Sequence, residues 1–297
     1  MHIPDIELHE VATLEESASL MSRLGDKGRL LAGGTDLLVD LKTGRATIGH
    51  AISINRVDGL RGVSQTRDGL RIGALTTITQ LSASDLVRKD YAPILDATSK
   101  MANPQIRNIA TVGGNIASAV PCADTPPILT AMNASVRLWS AEGEREVPLD
   151  AFFTGPRQTV MRQGEVLTAI LLPKPPPGFG AAYARFQLRE GNTIAVAAVA
   201  VGLRLNGEGT VQDARVVLGA VSPTPKLVSS AGVKLVGRPL DEEAMLRAAD
   251  VAMDAAEPIS DVRGSADFRR KIVGVMTHRA IQTAHDRAQG HRKEVGR

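Results

Sequence analysis

The 297 residues are enough for two domains of ordinary size, at about 100 to 200 residues each. An apolar fraction of 43% and a charged fraction of 23% are typical of a globular protein and exclude wholesale disorder. The single cysteine, Cys122, excludes an internal disulfide and cannot by itself hold a structural zinc or an iron–sulfur cluster. The net charge is only +3 and is concentrated in 285–297, so it does not indicate nucleic-acid binding.

The N-terminal residues MHIPDIELHE have no basic patch followed by an apolar run, so we expect no secretory signal and a cytoplasmic location. The longest apolar stretch, 194–203, is much shorter than the roughly 20 residues of a membrane helix. Its β-branched residues favour a buried strand, and we expect no integral membrane segment.

Two helices and three strands are predicted in the first part of the chain, and the first of these strands precedes the first helix. The segment 13–24 opens with a capping box and carries apolar residues on one face, which predicts a helix. A short strand, 29–32, runs into Gly33-Gly34, and a second helix follows as far as Gly44. The run HAISIN is typical of a strand.

The pattern then changes at a proline-rich segment. The elements predicted before it are a strand at 68–79, helices at 82–86 and 92–102, a strand pair at 137–149 and a strand at 166–172. Asn103-Pro104 should end the second of these helices. The stiff segment PKPPPG (173–178) is predicted to be a linker. The elements predicted after it are strands at 181–188, 194–205 and 212–218 and helices at 241–256 and 265–287, which indicates an α+β domain.

Two segments place a double glycine between an apolar run and a helix: LLAGGTDLL (30–38) and ATVGGNIAS (110–118). Glycine has no Cβ, so a phosphate can approach its backbone, and the free N–H groups at a helix start favour an anion. Two such turns together are able to grip one diphosphate from both sides. The alternative is a pair of tight turns needed only for packing, and neither segment fits the P-loop or the Rossmann fingerprint.

Asp124 lies in the segment PCADTPP that follows the second double glycine. On a nucleotide ligand its carboxylate would accept a hydrogen bond from a ring N–H, a ribose hydroxyl or an adenine amino group. The alternative role is the N-cap of a helix over 125–132, with Pro126 and Pro127 in its first turn.

Four motifs occur in order along nearly the whole chain: LLAGGTDLL; NPQIRNIATVGGNIASAVPCADTPPILTAM; FFTGPRQTV followed by GEVLTAILLP; and DVRGSADFRRKIVGVMTHRAI. In these motifs the sequence resembles the FAD-binding medium subunit of the molybdenum hydroxylases, the family of xanthine dehydrogenase and aerobic carbon monoxide dehydrogenase. The resemblance implies an α+β protein. Its N-terminal part would have the FAD-binding fold of p-cresol methylhydroxylase and vanillyl-alcohol oxidase in two subdomains, and a smaller α+β C-terminal domain would cover the flavin.

The domain boundaries follow from this resemblance together with the proline-rich linker. We expect an FAD-binding domain at 1–173, with subdomains at about 1–55 and 56–173. A C-terminal domain is expected at 178–287 and a basic tail at 288–297.

The resemblance also assigns residues to the cofactor. The first diphosphate loop would consist of Leu31, Ala32, Gly33, Gly34, Thr35 and Asp36, and the second of Thr111, Val112, Gly113, Gly114 and Asn115. Asp124 would contact the nucleotide, Met101 would lie against the cofactor, Leu167 would be at the flavin edge, and Ile194 would pack over the isoalloxazine ring. Arg185 stands where relatives often have a lysine. No catalytic residue and no metal ligand are expected in this chain.

In the family, a molybdenum–pterin centre on a large subunit oxidises the substrate, and two [2Fe–2S] clusters on a small subunit pass the electrons to FAD. The resemblance therefore implies an iron–sulfur small subunit and a molybdopterin-binding large subunit as partners, in a dimer of heterotrimers. The single cysteine disfavours the 4-hydroxybenzoyl-CoA reductase branch, whose flavin subunit carries an extra cluster. The alternatives are a self-sufficient FAD-dependent oxidase or dehydrogenase of the same superfold, and a nucleotide-binding scaffold without flavin chemistry.

The predicted helix 265–287 has an apolar face, which includes Phe268 and Val275, opposite a basic face of Arg269, Arg270, Lys271 and Arg279. Such a helix packs its apolar face on the core and leaves its basic face in solvent. The alternative is a surface that docks a partner subunit.

Overall fold

A computed structural model describes residues 4–189 and 191–291. The chain begins with a parallel sheet in the order β1-β3-β2, made of β1 (Glu7–Glu10), β2 (Gly28–Leu31) and β3 (His50–Ser53). The helices α1 (Leu14–Leu24) and α2 (Leu37–Lys42) connect these strands. At the start of α1 the Thr13 hydroxyl accepts the Glu16 N–H, but the Glu16 carboxylate accepts the Ala12 N–H. Of the two hydrogen bonds of the predicted capping box, only that from the Glu16 N–H to the Thr13 hydroxyl therefore forms.

A second, antiparallel sheet has the order β4-β5-β10-β6-β7. Its strands are β4 (Val63–Gln65), β5 (Gly69–Gly73), β6 (Ser135–Ser140), β7 (Gly143–Pro148) and β10 (Val166–Pro173). The ribbon of β8 (Phe153–Gly155) and β9 (Gln158–Thr159) precedes β10. Short helices connect β5 to β6: α3 (Ile78–Ala83), α4 (Asp85–Asp90), α5 (Ile94–Thr98), α6 (Pro104–Arg107), α7 (Val112–Ala117) and α8 (Thr125–Ala131).

The strand predicted over 68–79 was wrong in its second half. The strand β5 ends at Gly73, and Thr77 begins α3 with a full capping box, in which its side chain and that of Gln80 each accept the other's backbone N–H. A helix start with both bonds satisfied outweighs the alternating apolar pattern.

The helices predicted over 82–86 and 92–102 also differ from those found. The first prediction spans a break between α3 and α4, and the second is helical only over α5. Asn103-Pro104 starts α6 and does not end a helix there, because the Asn103 side chain accepts the Ile106 N–H at 2.9 Å. Proline is well tolerated in the first turn, where its missing N–H would have no helical partner.

The C-terminal part is an antiparallel sheet in sequential order, backed by helices. Its elements are β11 (Phe179–Phe186), β12 (Ala197–Leu205), β13 (Val211–Gly219), β14 (Lys226–Leu227), α9 (Ser229–Val233), α10 (Glu242–Asp254) and α11 (Ala266–Ala288). The helix α11 packs on β11 and β12, and α8 of the preceding part also contacts β12. The predicted α+β fold is confirmed. Residues 292–297 of the predicted basic tail lie outside the described residues.

The amphipathic prediction for α11 was wrong at Arg269. This side chain is only 2% exposed and donates hydrogen bonds to the carbonyl oxygens of Val196 (2.9 Å), Ile259 (2.8 Å) and Ala220 (2.6 Å). A buried arginine is tolerated when its donors find acceptors, and here three otherwise separate loops supply them. Phe268, which was assigned to the apolar face, is 40% exposed.

No helix among the described residues is both long enough and apolar enough to cross a membrane. The cytoplasmic location of the chain stays a prediction.

An ion pair between the partly exposed Arg145 of β7 and the buried Glu165, just before β10, gives a pH-dependent prediction. Glu165 accepts from Arg145 at 2.6 and 2.8 Å and from the Arg162 N–H at 2.7 Å, and the hydrogen bond from Arg145 is the main cause of its lowered pKa. We expect Glu165→Gln to lower the free energy of unfolding by about 2 kcal/mol at pH 7. A lowered folded-state pKa stabilises the protein above the unfolded pKa of about 4.3, and this stabilisation is lost as the pH falls through the folded-state value.

Urea unfolding of both proteins between pH 7 and about pH 3, which extends below the unfolded pKa, measures this effect. The two free energies should differ most at pH 7 and converge toward the acid end of the series. A difference that stays constant with pH would contradict a role of the Glu165 charge.

Candidate functional site

The loop that follows β2 presents a row of unused backbone donors. Among the described residues, no acceptor is found for the N–H groups of Gly33, Gly34, Thr35 and Asp36. Gly34 has a φ of +72°, a conformation that glycine adopts without strain. The loop is attached to the segment after β3, because the Asn55 side chain donates to the Ala32 carbonyl at 3.0 Å. Its free N–H groups are therefore fixed in place and available to an anion.

The two double-glycine segments meet in space. A Cβ added to Gly33 would lie 1.9 Å from the Ile109 carbonyl oxygen and 3.2 Å from the Ala110 Cα. The first loop thus packs directly on the backbone that leads into the second segment. Gly33 is therefore required for this close approach. In this respect the first double glycine does serve packing, as the alternative interpretation predicted.

The second segment differs from the expected turn after a strand. Thr111 makes only a single bridge to Thr77 and then caps α7, and its hydroxyl accepts the Gly114 N–H at 3.0 Å. The N–H groups of Val112 and Gly113 donate to the carbonyls of Thr76 and Ala74. The expectation of free N–H groups at this helix start was therefore wrong for 112–115. The donors that remain available to a ligand here are the Thr111 N–H and the Asn115 side-chain amide.

The two glycines of α7 have different surroundings. A Cβ at Gly113 would lie 2.6 Å from the Cβ of Ala74, so this glycine allows α7 to pack on the end of β5. A Cβ at Gly114 would meet only the Thr111 hydroxyl, at 2.8 Å. The space in front of Gly114 is otherwise free of protein atoms, which is the condition for a ligand to approach its backbone.

Asp124 lies at the junction of the two halves of the chain. It occupies the N-cap position of α8, with Pro126 and Pro127 in the first turn as the alternative predicted, but its side chain makes no cap hydrogen bond. Instead, Asp124 Oδ1 accepts from the Tyr183 hydroxyl at 2.7 Å and from Arg185 Nη1 at 2.9 Å, and Arg185 also donates to the Lys100 carbonyl. The second carboxylate oxygen, Oδ2, accepts no hydrogen bond from the described residues.

Burial governs the electrostatics of this junction. It raises the pKa of Asp124, and the charge of Arg185 and the hydrogen bond from Tyr183 oppose that rise. The pKa of Tyr183 is raised well above its usual value, mainly by burial and then by the nearby Asp124 charge. Tyr183 is therefore a neutral donor to Asp124 at physiological pH.

Alternate residues of β11 turn one polar face toward Asp124. Two buried polar atoms at this end of β11, Arg185 Nε and Gln187 Oε1, have no hydrogen-bond partner among the described residues. Tyr183 and Gln187 were missed in the sequence analysis, although Tyr183 is two residues from Arg185 and lies on the same side of β11. Gln187 follows the end of this strand. Unpartnered buried polar atoms are costly, and a polar ligand at this junction would relieve that cost.

The remaining predicted residues lie near the same junction or behind it. The Asn192 N–H donates to the Ala102 carbonyl at 3.1 Å, which brings the turn after Met101 next to the segment that leads to Ile194. Ile194 is 53% exposed, whereas Met101 and Leu167 are buried in the core. Ala102 and Asn192 both have positive φ values, +44° and +43°, and strained backbone of this kind is frequent at ligand sites.

Hydrogen bonds connect the parts of the candidate site. Ala74 donates to the Thr168 carbonyl, next to Leu167, and accepts from Gly113. The Asn115 side chain accepts from the Thr125 hydroxyl at 2.6 Å, next to Asp124. The paired loops, the Asp124 junction and β10 thus form one continuous frame. A surface groove of about 560 Å³, which is lined by residues of β1 and α1 such as His9 and Arg23, lies apart from this frame.

Comparison with known proteins identifies the family. The family model for the FAD binding domain in molybdopterin dehydrogenase matches residues 4–175, and the model for the CO dehydrogenase flavoprotein C-terminal domain matches residues 181–284. The carbon monoxide dehydrogenase medium chain of Hydrogenophaga pseudoflava is 35% identical over 95% of this chain and 97% of its own length. The xanthine dehydrogenase FAD-binding subunit of Escherichia coli O157:H7 is 31% identical, with the same coverage of both chains.

Solved structures show the same relationship. A carbon monoxide dehydrogenase structure from Hydrogenophaga pseudoflava superposes with a TM-score of 0.94 at 36% identity, over 97% of this chain and 99% of the other. Quinoline 2-oxidoreductase from Pseudomonas putida 86 superposes with a TM-score of 0.89 at 29% identity, over 98% of this chain and 99% of the other. The chain belongs to the family of FAD-binding subunits of the molybdenum hydroxylases. It is an oxidoreductase chain, and its cofactor is FAD.

The described residues fit this cofactor. The free N–H groups of 33–36 suit a diphosphate, and the open space at Gly114 lets it approach from the second segment. The unpartnered Arg185 Nε and Gln187 Oε1 suit the polar edge of a ring system. The exposed Ile194 suits an apolar ring face.

Proposed function

We propose that this chain binds FAD and conducts electrons from the [2Fe–2S] clusters of a partner subunit to a terminal acceptor. The supporting observation is the row of four N–H groups at 33–36 without acceptors among the described residues, in a loop that packs on the backbone before the second double-glycine segment. The names of the relatives support the complex, because a medium chain implies further chains. We propose an iron–sulfur small subunit and a molybdopterin-binding large subunit as partners, in a dimer of heterotrimers.

The assignment of residues within the site is part of this proposal. The N–H groups of 33–36 donate to one side of the diphosphate, and the Thr111 N–H and the Asn115 amide donate to the other. Asp124 holds Arg185 through Oδ1 and offers Oδ2 to a donor of the nucleotide. Met101, Leu167 and Ile194 provide the apolar surroundings of the flavin ring.

FAD, when bound, would supply the redox chemistry that links one-electron iron–sulfur clusters to the terminal acceptor. The residues of this chain bind it, orient it and exclude water. The pair of Asp124 and Arg185 places one positive and one negative charge at the junction, so binding of the neutral ring requires no further counter-charge. We further propose the division into an FAD-binding domain at 1–173 and a covering domain at 178–287, supported by the separate family models for the two parts.

Two measurements test this function. Purification with added FAD should yield a visible flavin spectrum, with one FAD per chain. Anaerobic mixing with a chemically reduced iron–sulfur partner subunit should then bleach the flavin absorbance. The matched control is the oxidised partner subunit, which should leave the absorbance unchanged.

The outcomes of these measurements distinguish the three functions that the sequence left open. Turnover of an organic substrate by the isolated chain would contradict the electron-transfer role and support a self-sufficient flavin oxidase or dehydrogenase. Absence of a flavin spectrum after reconstitution would contradict both, and it would leave the nucleotide-binding scaffold.

A further inference from the structure

A cluster of two histidines and one carboxylate lies at the edge of the N-terminal sheet, and none of its three residues is assigned to the FAD site. Glu7 and His9 are two residues apart on β1 and therefore project to the same face of the sheet. The parallel register pairs Glu7 with His50 of β3, which places the third side chain beside the other two. The cluster is thus fixed by strand pairing and does not depend on a flexible loop.

The distances within the cluster match those between the ligands of one metal ion. His9 Nε2 lies 3.1 Å from His50 Nδ1, His50 Nδ1 lies 3.3 Å from Glu7 Oε2, and His9 Nε2 lies 3.6 Å from Glu7 Oε1. In a tetrahedral zinc site with bonds of about 2.0 to 2.1 Å, neighbouring ligand atoms are about 3.3 Å apart. The three donor groups therefore surround a position at bonding distance from all of them.

The surroundings of the cluster favour a cation and leave it accessible. His9 lines the surface groove of about 560 Å³ beside α1, and the charged side chains of this groove are Glu10, Glu15, Glu16 and Arg23. Three carboxylates and one guanidinium give the groove a net negative charge.

We propose that Glu7, His9 and His50 form a binding site for a divalent transition metal ion, with zinc as the favoured metal and water as the fourth ligand. Two imidazole nitrogens and one carboxylate oxygen are a ligand set that zinc prefers, whereas magnesium and calcium prefer oxygen ligands alone. Without metal, the facing nitrogens of His9 and His50 share a hydrogen bond. The metal takes the position of the proton in that bond, and the imidazole that donated it carries its proton on its other ring nitrogen. The bound metal then joins the edge strand β1 to the central strand β3.

Zinc titration of the FAD-loaded chain tests this site. The protein is first treated with a chelator and desalted, and zinc chloride binding is then followed by calorimetry. We expect one zinc ion per chain, and cobalt in its place should give the visible absorption bands of tetrahedral coordination. His9→Gln and His50→Gln should each weaken zinc binding about 100-fold, because each removes one of three protein ligands.

His278→Gln is the matched control. His278 Nε2 also pairs with a carboxylate, Glu242 Oε1 at 2.9 Å, but no third ligand completes a site there among the described residues. This variant should retain full zinc affinity. Glu7→Gln, which changes an exposed side chain, provides a further ligand variant should a histidine substitution fail to fold.

Thermal unfolding gives a second measurement that does not depend on the FAD site. Zinc should raise the unfolding temperature of the wild-type chain and of His278→Gln, but not that of His50→Gln. Equal zinc affinity in the wild type, His9→Gln and His50→Gln would overturn the proposal. Failure of the wild type to bind zinc would overturn it as well, and neither result would bear on FAD binding.

Discussion

Replacement of Gly33 by alanine is expected to abolish FAD binding and to lower the free energy of unfolding by about 3 kcal/mol. The added Cβ would lie 1.9 Å from the Ile109 carbonyl oxygen. No rotamer change can relieve this contact, because the position of a Cβ is fixed by the backbone and the oxygen is itself a backbone atom. The two loops must separate by more than an ångström. The N–H groups of 33–36 would then no longer face the start of the second segment.

Variants at two further glycines distinguish disruption of loop packing from obstruction of the ligand as the cause of lost FAD binding. Gly49→Ala is the steric control, because a Cβ at Gly49 would meet nothing within 4 Å, and we expect it to bind FAD normally. At Gly114, an added Cβ would meet only the Thr111 hydroxyl, so this site tests approach of the ligand more than packing. Gly114→Val should lose FAD, because its branched side chain fills the space in front of the backbone, and it should destabilise the FAD-free chain less than Gly33→Ala does.

FAD content after reconstitution and urea unfolding of the FAD-free chains measure both properties. Gly33→Ala with full FAD occupancy would contradict the placement of the diphosphate between the loops. Full occupancy in Gly114→Val would show that the ligand does not approach the backbone at this position.

Much of the fold could be predicted from the sequence, but the segment 74–131 could not. The strands β12 and β13 and the helices α10 and α11 are long, and their apolar patterns are strong enough to determine their type. The helices from α3 to α8 have seven residues or fewer, and caps and tertiary hydrogen bonds hold them in place. Bonds such as that from Gly113 to Ala74 join residues far apart in the chain and leave no periodic signal.

The glycine loops of the candidate site could be predicted from the sequence. The hydrogen bonds between residues far apart in the chain could not. The double glycines identified both loops, but the state of their N–H groups depends on Thr76 and Ala74, which no local pattern connects to the second loop. Tyr183 was missed because a tyrosine within an apolar strand is typical of the core. The Glu7, His9 and His50 cluster was missed because 41 residues separate the two histidines.

Asp124→Asn is expected to lower the free energy of unfolding by about 3 kcal/mol and to weaken FAD binding at least tenfold. The substitution keeps the shape of the side chain but removes the negative charge beside Arg185, whose side chain is only 5% exposed. Removal of one partner from a buried ion pair costs about 3 to 5 kcal/mol, because the remaining charge stays buried without compensation. The remaining bond from Arg185 to the Lys100 carbonyl does not replace that charge.

A double-mutant cycle distinguishes this pair from two independent contributions. Asp124→Asn, Arg185→Met and the double variant are compared by urea unfolding of the FAD-free chains. We expect a coupling energy of about 2 kcal/mol, because the double variant no longer buries an unpaired charge. Tyr183→Phe is the control for the neutral hydrogen bond to the same carboxylate, and we expect it to cost about 1 kcal/mol.

FAD affinity in the same variants shows whether the pair serves the ligand or only the fold. If the pair positions Asp124 Oδ2 for the nucleotide, Arg185→Met should weaken FAD binding even under conditions where the variant is fully folded. The double variant should then bind FAD no better than Asp124→Asn, although its stability is partly restored. Recovery of FAD affinity together with stability would instead assign Asp124 and Arg185 a purely structural role between the two halves of the chain.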